Sequence, residues 1–146
     1  AVEELLRYDG PLERATMRFS LEAVTVGGVT IPAHRLVGLV MASADHDPAR
    51  FEDPDRLDLT RPRPQHLEFG HGIHFCLGAP LARLEGQVAF GRLLERYPDM
   101  VLACPVEDLR FAMAGYVARG LRTLPVRLHG PRQPRFRVKG GPWVPS

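Results

Sequence analysis

A single cysteine lies in a loop with regularly spaced glycines, and no other stretch restricts the fold so strongly. The loop covers residues 69–78, with glycine at positions 70, 72 and 78 and the cysteine at position 76. Glycine is used where the backbone needs a positive φ or where a flat ligand comes close to it, and it weakens regular structure elsewhere. Three glycines in ten residues therefore predict a shaped loop rather than a helix or a strand.

The residues after this loop predict an amphipathic helix. Pro80 suits a first helical turn, and Leu81, Leu84 and Val88 recur at helical spacing. We expect this helix to end near Tyr97. The cysteine would then lie just before a helix N-terminus, where the helix dipole and free amide N–H groups favour a thiolate.

A thiolate in such a loop has three common roles. A cysteine phosphatase needs Cys-x5-Arg, and Arg83 comes one residue too late for that spacing. A zinc site is a second role, because three histidines precede Cys76, but structural zinc sites usually take paired ligands from two arms and Cys104 supplies no second arm. The third role is axial ligand of a haem iron. The three histidines are His66, His71 and His74.

The loop resembles the haem-ligand signature of the cytochrome P-450 monooxygenases, Phe-x-x-Gly-x-His/Arg-x-Cys-x-Gly. Phe69, Gly72, His74, Cys76 and Gly78 occupy every fixed position. The residues that follow are similar to the bacterial branch without a membrane anchor. The resemblance implies an α+β, mainly α, fold, of which this chain would carry the C-terminal part. That part consists of a Glu-x-x-Arg helix, a small antiparallel sheet, an irregular meander, the cysteine loop, a long helix and a terminal hairpin.

The family's functional residues can be carried over position by position. Cys76 would be the axial ligand of the iron of haem b, and Arg18 and His74 would pair with the haem propionates. Phe69 would shield the sulfur from water. The residues expected to bind the cofactor are Arg18, Phe69, Gly70, Gly72, His74, Gly78 and Ala82. Those expected to contact substrate are Pro11, Thr16, Met17, Tyr116 and Val117.

Glu4 and Arg7 stand three residues apart on the first predicted helix, where an exposed pair contributes only about 0.2–0.5 kcal/mol. The resemblance assigns them instead to the family's Glu-x-x-Arg motif, which joins an arginine from the irregular segment. By position that partner is Arg56, although Leu57 stands where the family usually has an aromatic residue. Residues 44–48 also resemble the family's Ala-Asn-Arg-Asp-Pro, with two substitutions.

Turn residues and apolar runs predict the remaining elements. A Gly27-Gly28 pair between β-branched runs predicts a tight hairpin. Residues 42–68, rich in Asp, Pro and Arg, are expected to be irregular. Helix is predicted over residues 1–8, a turn over 114–118, and strands over 16–19, 23–26, 29–31, 36–41, 109–113 and 124–128.

Charge divides the chain of 146 residues unevenly. Residues 129–146 hold four basic residues and no acid, so the net charge of +2 for the whole chain becomes −2 for residues 1–128. The resemblance implies a P-450 portion over 1–128, and the basic charge, prolines and glycines of residues 129–146 predict a disordered tail. Two separate cysteines, with no long apolar run or signal peptide, predict a cytoplasmic protein without a membrane span. Four basic charges in the tail are too few to predict a nucleic-acid or membrane partner.

The resemblance implies a monooxygenase that inserts one oxygen atom from O2 into a small organic substrate. Electrons would come from NAD(P)H through a ferredoxin or flavodoxin-like donor. The family's oxygen-activating helix has no counterpart in this sequence, so no catalytic residue is assigned and residues 1–146 alone are expected to be inactive. The alternative is a haem- or metal-binding module without catalysis. Residues 5–11 most resemble relatives that hydroxylate polyketide macrolides.

Overall fold

The computed structural model describes residues 1–62 and 64–129, so most of the expected tail lies outside the described residues. The described residues form three α-helices: α1 (Val2–Asp9), α2 (Met41–Asp45) and α3 (Ala79–Arg96). The strands are β1 (Arg18–Phe19), β2 (Val24–Val26), β3 (Val29–Ile31), β4 (Leu36–Val37), β5 (Val101–Leu102), β6 (Phe111–Ala114), β7 (Ala118–Leu121) and β8 (Val126–Arg127). Short 3-10 segments cover Gly72–His74 and Val106–Asp108.

In the described part of the chain the strands form four antiparallel pairs, so the small antiparallel sheet predicted over residues 16–41 consists of two separate pairs, β1 with β4 and β2 with β3. β2 and β3 make the predicted hairpin, with Val26 opposite Val29 and a turn through Gly27 and Gly28, which both have positive φ. β1 pairs with β4, so that Arg18 lies opposite Val37. This pairing confirms the hairpin prediction, whose signal was the adjacent Gly27-Gly28 pair.

The apolar run 36–41 was wrongly predicted to be one strand. Only Leu36–Val37 is a strand, and α2 takes in Met41, the last residue of that run, together with residues 42–45 of the stretch predicted to be irregular. The chain changes partner in between, because Ala15 donates its N–H to the Leu39 carbonyl at 2.9 Å and Arg14 bridges to Val40. Packing against a distant segment therefore divides a run that looks uniform in sequence.

The C-terminal strands also differ from the prediction. β6 pairs with β7, which the sequence reasoning missed, and the predicted turn over 114–118 connects them. β8 pairs with β5, also missed, which lies just after α3. Arg119 and Gly120 interrupt the apolar pattern of β7, so β7 carries little strand signal of its own.

Few residues of the described part are buried. The buried apolar residues are Phe51, Phe69 and Ala79, whereas the buried polar ones are Glu4, Arg7, Asp45 and Glu68. Leu81, Leu84 and Val88 on α3 are all more than half exposed, although burial of such a side chain is worth roughly 1.5–3 kcal/mol. Within the described ranges, no helix has the length and hydropathy needed to cross a bilayer.

Candidate functional site

The cysteine loop closes on itself through main-chain hydrogen bonds. Cys76 donates its N–H to the Phe69 carbonyl at 2.8 Å, and Phe75 donates to the Gly72 carbonyl at 3.0 Å. Gly70 and Gly72 have φ values of +74° and +70°, which side chains other than glycine rarely adopt. The predicted shaped loop is confirmed, and its ends hold Cys76 beside Phe69.

Helix α3 begins directly behind the cysteine. Ala79, its first residue, is fully buried and donates its N–H to the Cys76 carbonyl at 3.2 Å. The helix ends at Arg96, next to the predicted Tyr97. The Arg83 guanidinium of this helix lies over the Phe69 ring, 4.6 Å from its centroid. These contacts fix the Phe69 ring against the base of the helix.

A cavity of about 670 Å³ opens next to this loop, within the size range of cofactor and ligand sites. Five residues predicted to hold the cofactor line it, and apolar residues such as Leu39 and Val40 form much of its wall. Those five are Arg18, Phe69, Gly70, His74 and Cys76. Gly72, Gly78 and Ala82 were also predicted, but they do not line the cavity and are exposed.

Of the residues predicted to contact substrate, some line the cavity and others do not. Thr16 and Val117 line the cavity. Tyr116 and Met17 lie beside Gly38, which is itself a lining residue. Pro11 does not line the cavity, and its carbonyl accepts the Arg119 N–H at 2.7 Å.

The donor set of the cavity fits a haem. A thiol is available for iron, an arginine and a histidine are available for carboxylates, and the remaining wall is mainly apolar. Arg18 donates to the Thr16 carbonyl and hydroxyl at 2.9 and 2.6 Å, and these two hydrogen bonds hold its guanidinium in the cavity wall. Among the described residues, no group of three or more His, Cys, Asp or Glu could hold a metal ion.

Glu4 and Arg7 form a buried pair rather than an exposed one. Arg7 donates from Nε and Nη2 to the two Glu4 carboxylate oxygens at 2.8 and 2.9 Å. Its Nη1 donates to the carbonyls of Asp45 and Pro54 at 2.8 and 2.9 Å. Burial alone would raise the pKa of Glu4, but the hydrogen bonds from Arg7 and from the Asp58 N–H lower it below its usual value.

The arginine that joins this pair is not the one that the sequence predicted. Arg61 donates from Nε to Glu4 Oε1 at 3.2 Å, whereas Arg56 contributes its main-chain carbonyl to Arg7 at 3.3 Å. The prediction chose Arg56 from its place along the irregular segment. That place does not determine which arginine side chain points towards Glu4.

Two buried carboxyl groups were missed by the sequence reasoning. Glu68 accepts the Leu12 N–H at 2.8 Å, and burial, reinforced by Asp45 and Asp9, raises the pKa of Glu68 to about 7. Asp45 accepts the Leu67 N–H at 2.7 Å, and burial raises its pKa as well. Its second oxygen, Oδ2, finds no hydrogen-bond partner among the described residues. Two sequence signals could have indicated them: Glu68 is an acid directly before the signature residue Phe69, and Asp45 stands where the family motif has asparagine.

Glu68 should make the stability of the folded chain depend on pH. Because its folded pKa exceeds the usual value of 4.5, the folded state holds a proton that the unfolded chain has released. The contribution is complete below about pH 4.5 and is lost as pH rises through about 7. We expect Glu68→Gln to remove this loss. Between pH 4 and pH 8, the free energy of unfolding of the wild type should fall by about 3 kcal/mol more than that of the variant.

Urea unfolding of the purified chain at pH 4 and pH 8 would test this expectation. Glu22→Gln serves as the control, because Glu22 is exposed. The same change in pH dependence in both variants would show that the Glu68 carboxyl is not responsible.

Comparisons with known proteins show which proteins this chain is similar to. The family model described as Cytochrome P450 matches residues 1–110. Cytochrome P450 107B1 of Saccharopolyspora erythraea is 53% identical over 127 residues, which cover 87% of this chain and 31% of that protein. The monooxygenase PikC of Streptomyces venezuelae is 51% identical over 87% of this chain and 30% of its own length.

The solved structures extend the likeness to three dimensions. The tirandamycin C-bound P450 monooxygenase TamI superposes with a TM-score of 0.84 at 53% identity, over 88% of this chain and 32% of that one. The chain thus spans about a third of the length of the relatives that it matches. With its cysteine loop, its buried Glu-x-x-Arg pair and these matches, the chain belongs to the cytochrome P450 family.

Proposed function

We propose that the protein carrying this chain is a haem-thiolate monooxygenase that inserts one oxygen atom from O2 into a small organic substrate. The observation that carries the proposal is one cavity lined together by Cys76, Arg18 and His74. The names of two relatives support the reaction class. A 6-deoxyerythronolide B hydroxylase is 47% identical and a mycinamicin IV hydroxylase/epoxidase is 48% identical to this chain. This chain would supply the proximal side of the site.

Bound haem would supply the O2 chemistry, which a thiolate ligand favours by donating electron density to iron. Cys76 provides the thiolate, and the glycine loop holds its main chain by hydrogen bonds to Phe69. Phe69, only 8% exposed, limits access of water to the cavity beside the sulfur. Arg18 and His74 provide positive charge or N–H donors for the two carboxylates of the cofactor.

The substrate would lie against the part of the cavity wall that Thr16 and Val117 form. A polyketide macrolide is the substrate class that the segment 5–11 favours, and a polyketide-biosynthesis P450 of Bacillus subtilis is 45% identical. Electrons from NAD(P)H would arrive through a ferredoxin or flavodoxin-like donor on the cysteine side. The cytoplasm is the proposed compartment for this exchange.

One spectrum of the whole enzyme tests the proposal. Reduced protein treated with carbon monoxide should give the strongly red-shifted Soret band of thiolate-ligated haem. A preparation that binds haem but lacks that band would refute the proposal, and so would one that takes up no haem.

Removing a partner of the propionates should weaken haem retention without changing the iron ligand. We expect Arg18→Ala and His74→Ala each to speed haem loss about tenfold or more, because a hydrogen bond to a charged group contributes roughly 1.5–3 kcal/mol. Haem transfer to an apo-globin acceptor measures the rate, and the Soret maximum should stay unchanged. Arg35→Ala is the control, since Arg35 is exposed and does not line the cavity. Unchanged off-rates in both variants would remove Arg18 and His74 from the site.

A further inference from the structure

Glu68 lines two cavities and contacts a separate segment of the wall of the larger one. It lines both the cavity next to Cys76 and a second cavity of about 220 Å³. Its side chain is almost fully buried, with 3% of the residue exposed. Nothing in the proposed chemistry of the haem site uses this carboxyl group, and a buried acid with no assigned role requires an explanation.

The Glu68 carboxyl group binds the main chain of the wall at Leu12. Glu68 Oε1 accepts the Leu12 N–H at 2.8 Å, and Leu12 lines the cavity. Leu12 also bridges to Ala118, next to Val117 on the same wall. The two edges proposed to face substrate, which are the segments around Thr16 and Val117, are therefore joined at Leu12 and secured to the cysteine loop by Glu68.

The segment that contains Leu12 is also shaped to leave room for this carboxyl group. A Cβ atom at Gly10 would overlap the Glu68 carboxyl, so only glycine fits there without displacing it. On the other side, the Arg119 N–H donates to the Pro11 carbonyl at 2.7 Å, and the Arg119 side chain pairs with Asp9. Residues 9–12 are thus held between Glu68 and β7.

Resting on the function proposed above, we propose that Glu68 is a positioning residue that sets the distance between the Leu12–Val117 wall and the haem face, and so limits the size of ligand that the site accepts. Its effect passes through the Leu12 N–H, and it need not touch substrate. Glutamine can accept the same hydrogen bond with nearly the same shape, whereas alanine cannot. The pair of substitutions therefore separates the hydrogen bond from the charge.

The test measures the wall and the ligand preference separately in the whole haem-loaded enzyme. Hydrogen exchange at the Leu12 amide reports the wall. The ratio of spectral dissociation constants for 4-phenylimidazole and imidazole reports the space above the iron. We expect Glu68→Ala to speed Leu12 exchange about tenfold and to change the ratio severalfold, while Glu68→Gln stays near the wild type for both.

A second variant keeps the test valid if Glu68→Ala folds poorly. Gly10→Ala keeps the Glu68 residue, but the new Cβ atom displaces its carboxyl group from the Leu12 N–H. This variant should shift both readouts in the same direction as Glu68→Ala. Gly91→Ala on α3 is its control, because a Cβ at Gly91 meets open space. Protected Leu12 exchange in both test variants would overturn the proposal, and so would faster exchange with an unchanged ligand ratio. A wild type without the red-shifted carbon monoxide band would instead refute the proposed function, and Leu12 exchange would still show whether Glu68 holds the wall.

Discussion

Replacement of Cys76 by serine is expected to abolish the red-shifted carbon monoxide band of the whole enzyme. A serine hydroxyl ionises far less readily than a thiol and is a poor substitute for the soft sulfur ligand. The loop itself should survive, because its hydrogen bond from residue 76 to the Phe69 carbonyl uses the main-chain N–H. The loss should therefore be confined to the iron ligand, with the far-ultraviolet circular dichroism unchanged.

Cys104→Ser is the matched control for this change. Cys104 is a second free cysteine of similar partial burial, but it does not line the cavity. The Soret maximum of the control should equal that of the wild type. A band that depends on Cys104 and survives the Cys76 change would show that another loop carries the iron ligand.

The features predicted correctly from sequence depend on short-range signals. The Gly27-Gly28 turn is set by two adjacent residues, and its register follows from them. Helix α3 is set by Pro80 in its first turn and by apolar spacing over five turns. The cysteine loop needed positive φ at Gly70 and Gly72, which the glycine spacing indicated.

The features that sequence did not predict depend on contacts between distant segments. Glu4 is reached by Arg61 rather than Arg56, although both arginines lie in the same irregular stretch. Glu68 is an acid directly before a signature phenylalanine, and its burial follows from Leu12, 56 residues away. Periodicity and spacing describe neighbours along the chain, so they cannot identify which polar groups meet in the folded interior.

The same contacts explain the errors in secondary structure. β5 was not predicted at all, β8 is only part of the predicted strand 124–128, and each has only two residues. Such short strands gain their stability from pairing rather than from propensity. The helix α2 likewise begins where Ala42 donates its N–H to the Glu13 carbonyl at 3.2 Å, a contact with no sequence signal.

The second large effect is expected at the buried ion pair of α1. Arg7→Ala should destabilise the fold by about 3–5 kcal/mol, because it leaves the Glu4 carboxylate buried without its main partner. Arg7 and Glu4 are 1% and 2% exposed. The change also removes the donor from the carbonyls of Asp45 and Pro54. Lysine should restore little of this, since it cannot make the paired contacts of a guanidinium.

Arg92→Ala provides a control with the same spacing and a different environment. Arg92 and Glu95 also stand three residues apart on a helix, but their side chains are 80% and 72% exposed, so their removal should cost at most about 1 kcal/mol. Urea unfolding of the whole enzyme would give both values. Equal losses in the two variants would mean that Arg61 alone can neutralise Glu4. The carbonyls of Asp45 and Pro54 would then not depend on the Arg7 guanidinium either, and only an Arg7→Ala, Arg61→Ala double variant should show the cost of leaving Glu4 without a cation.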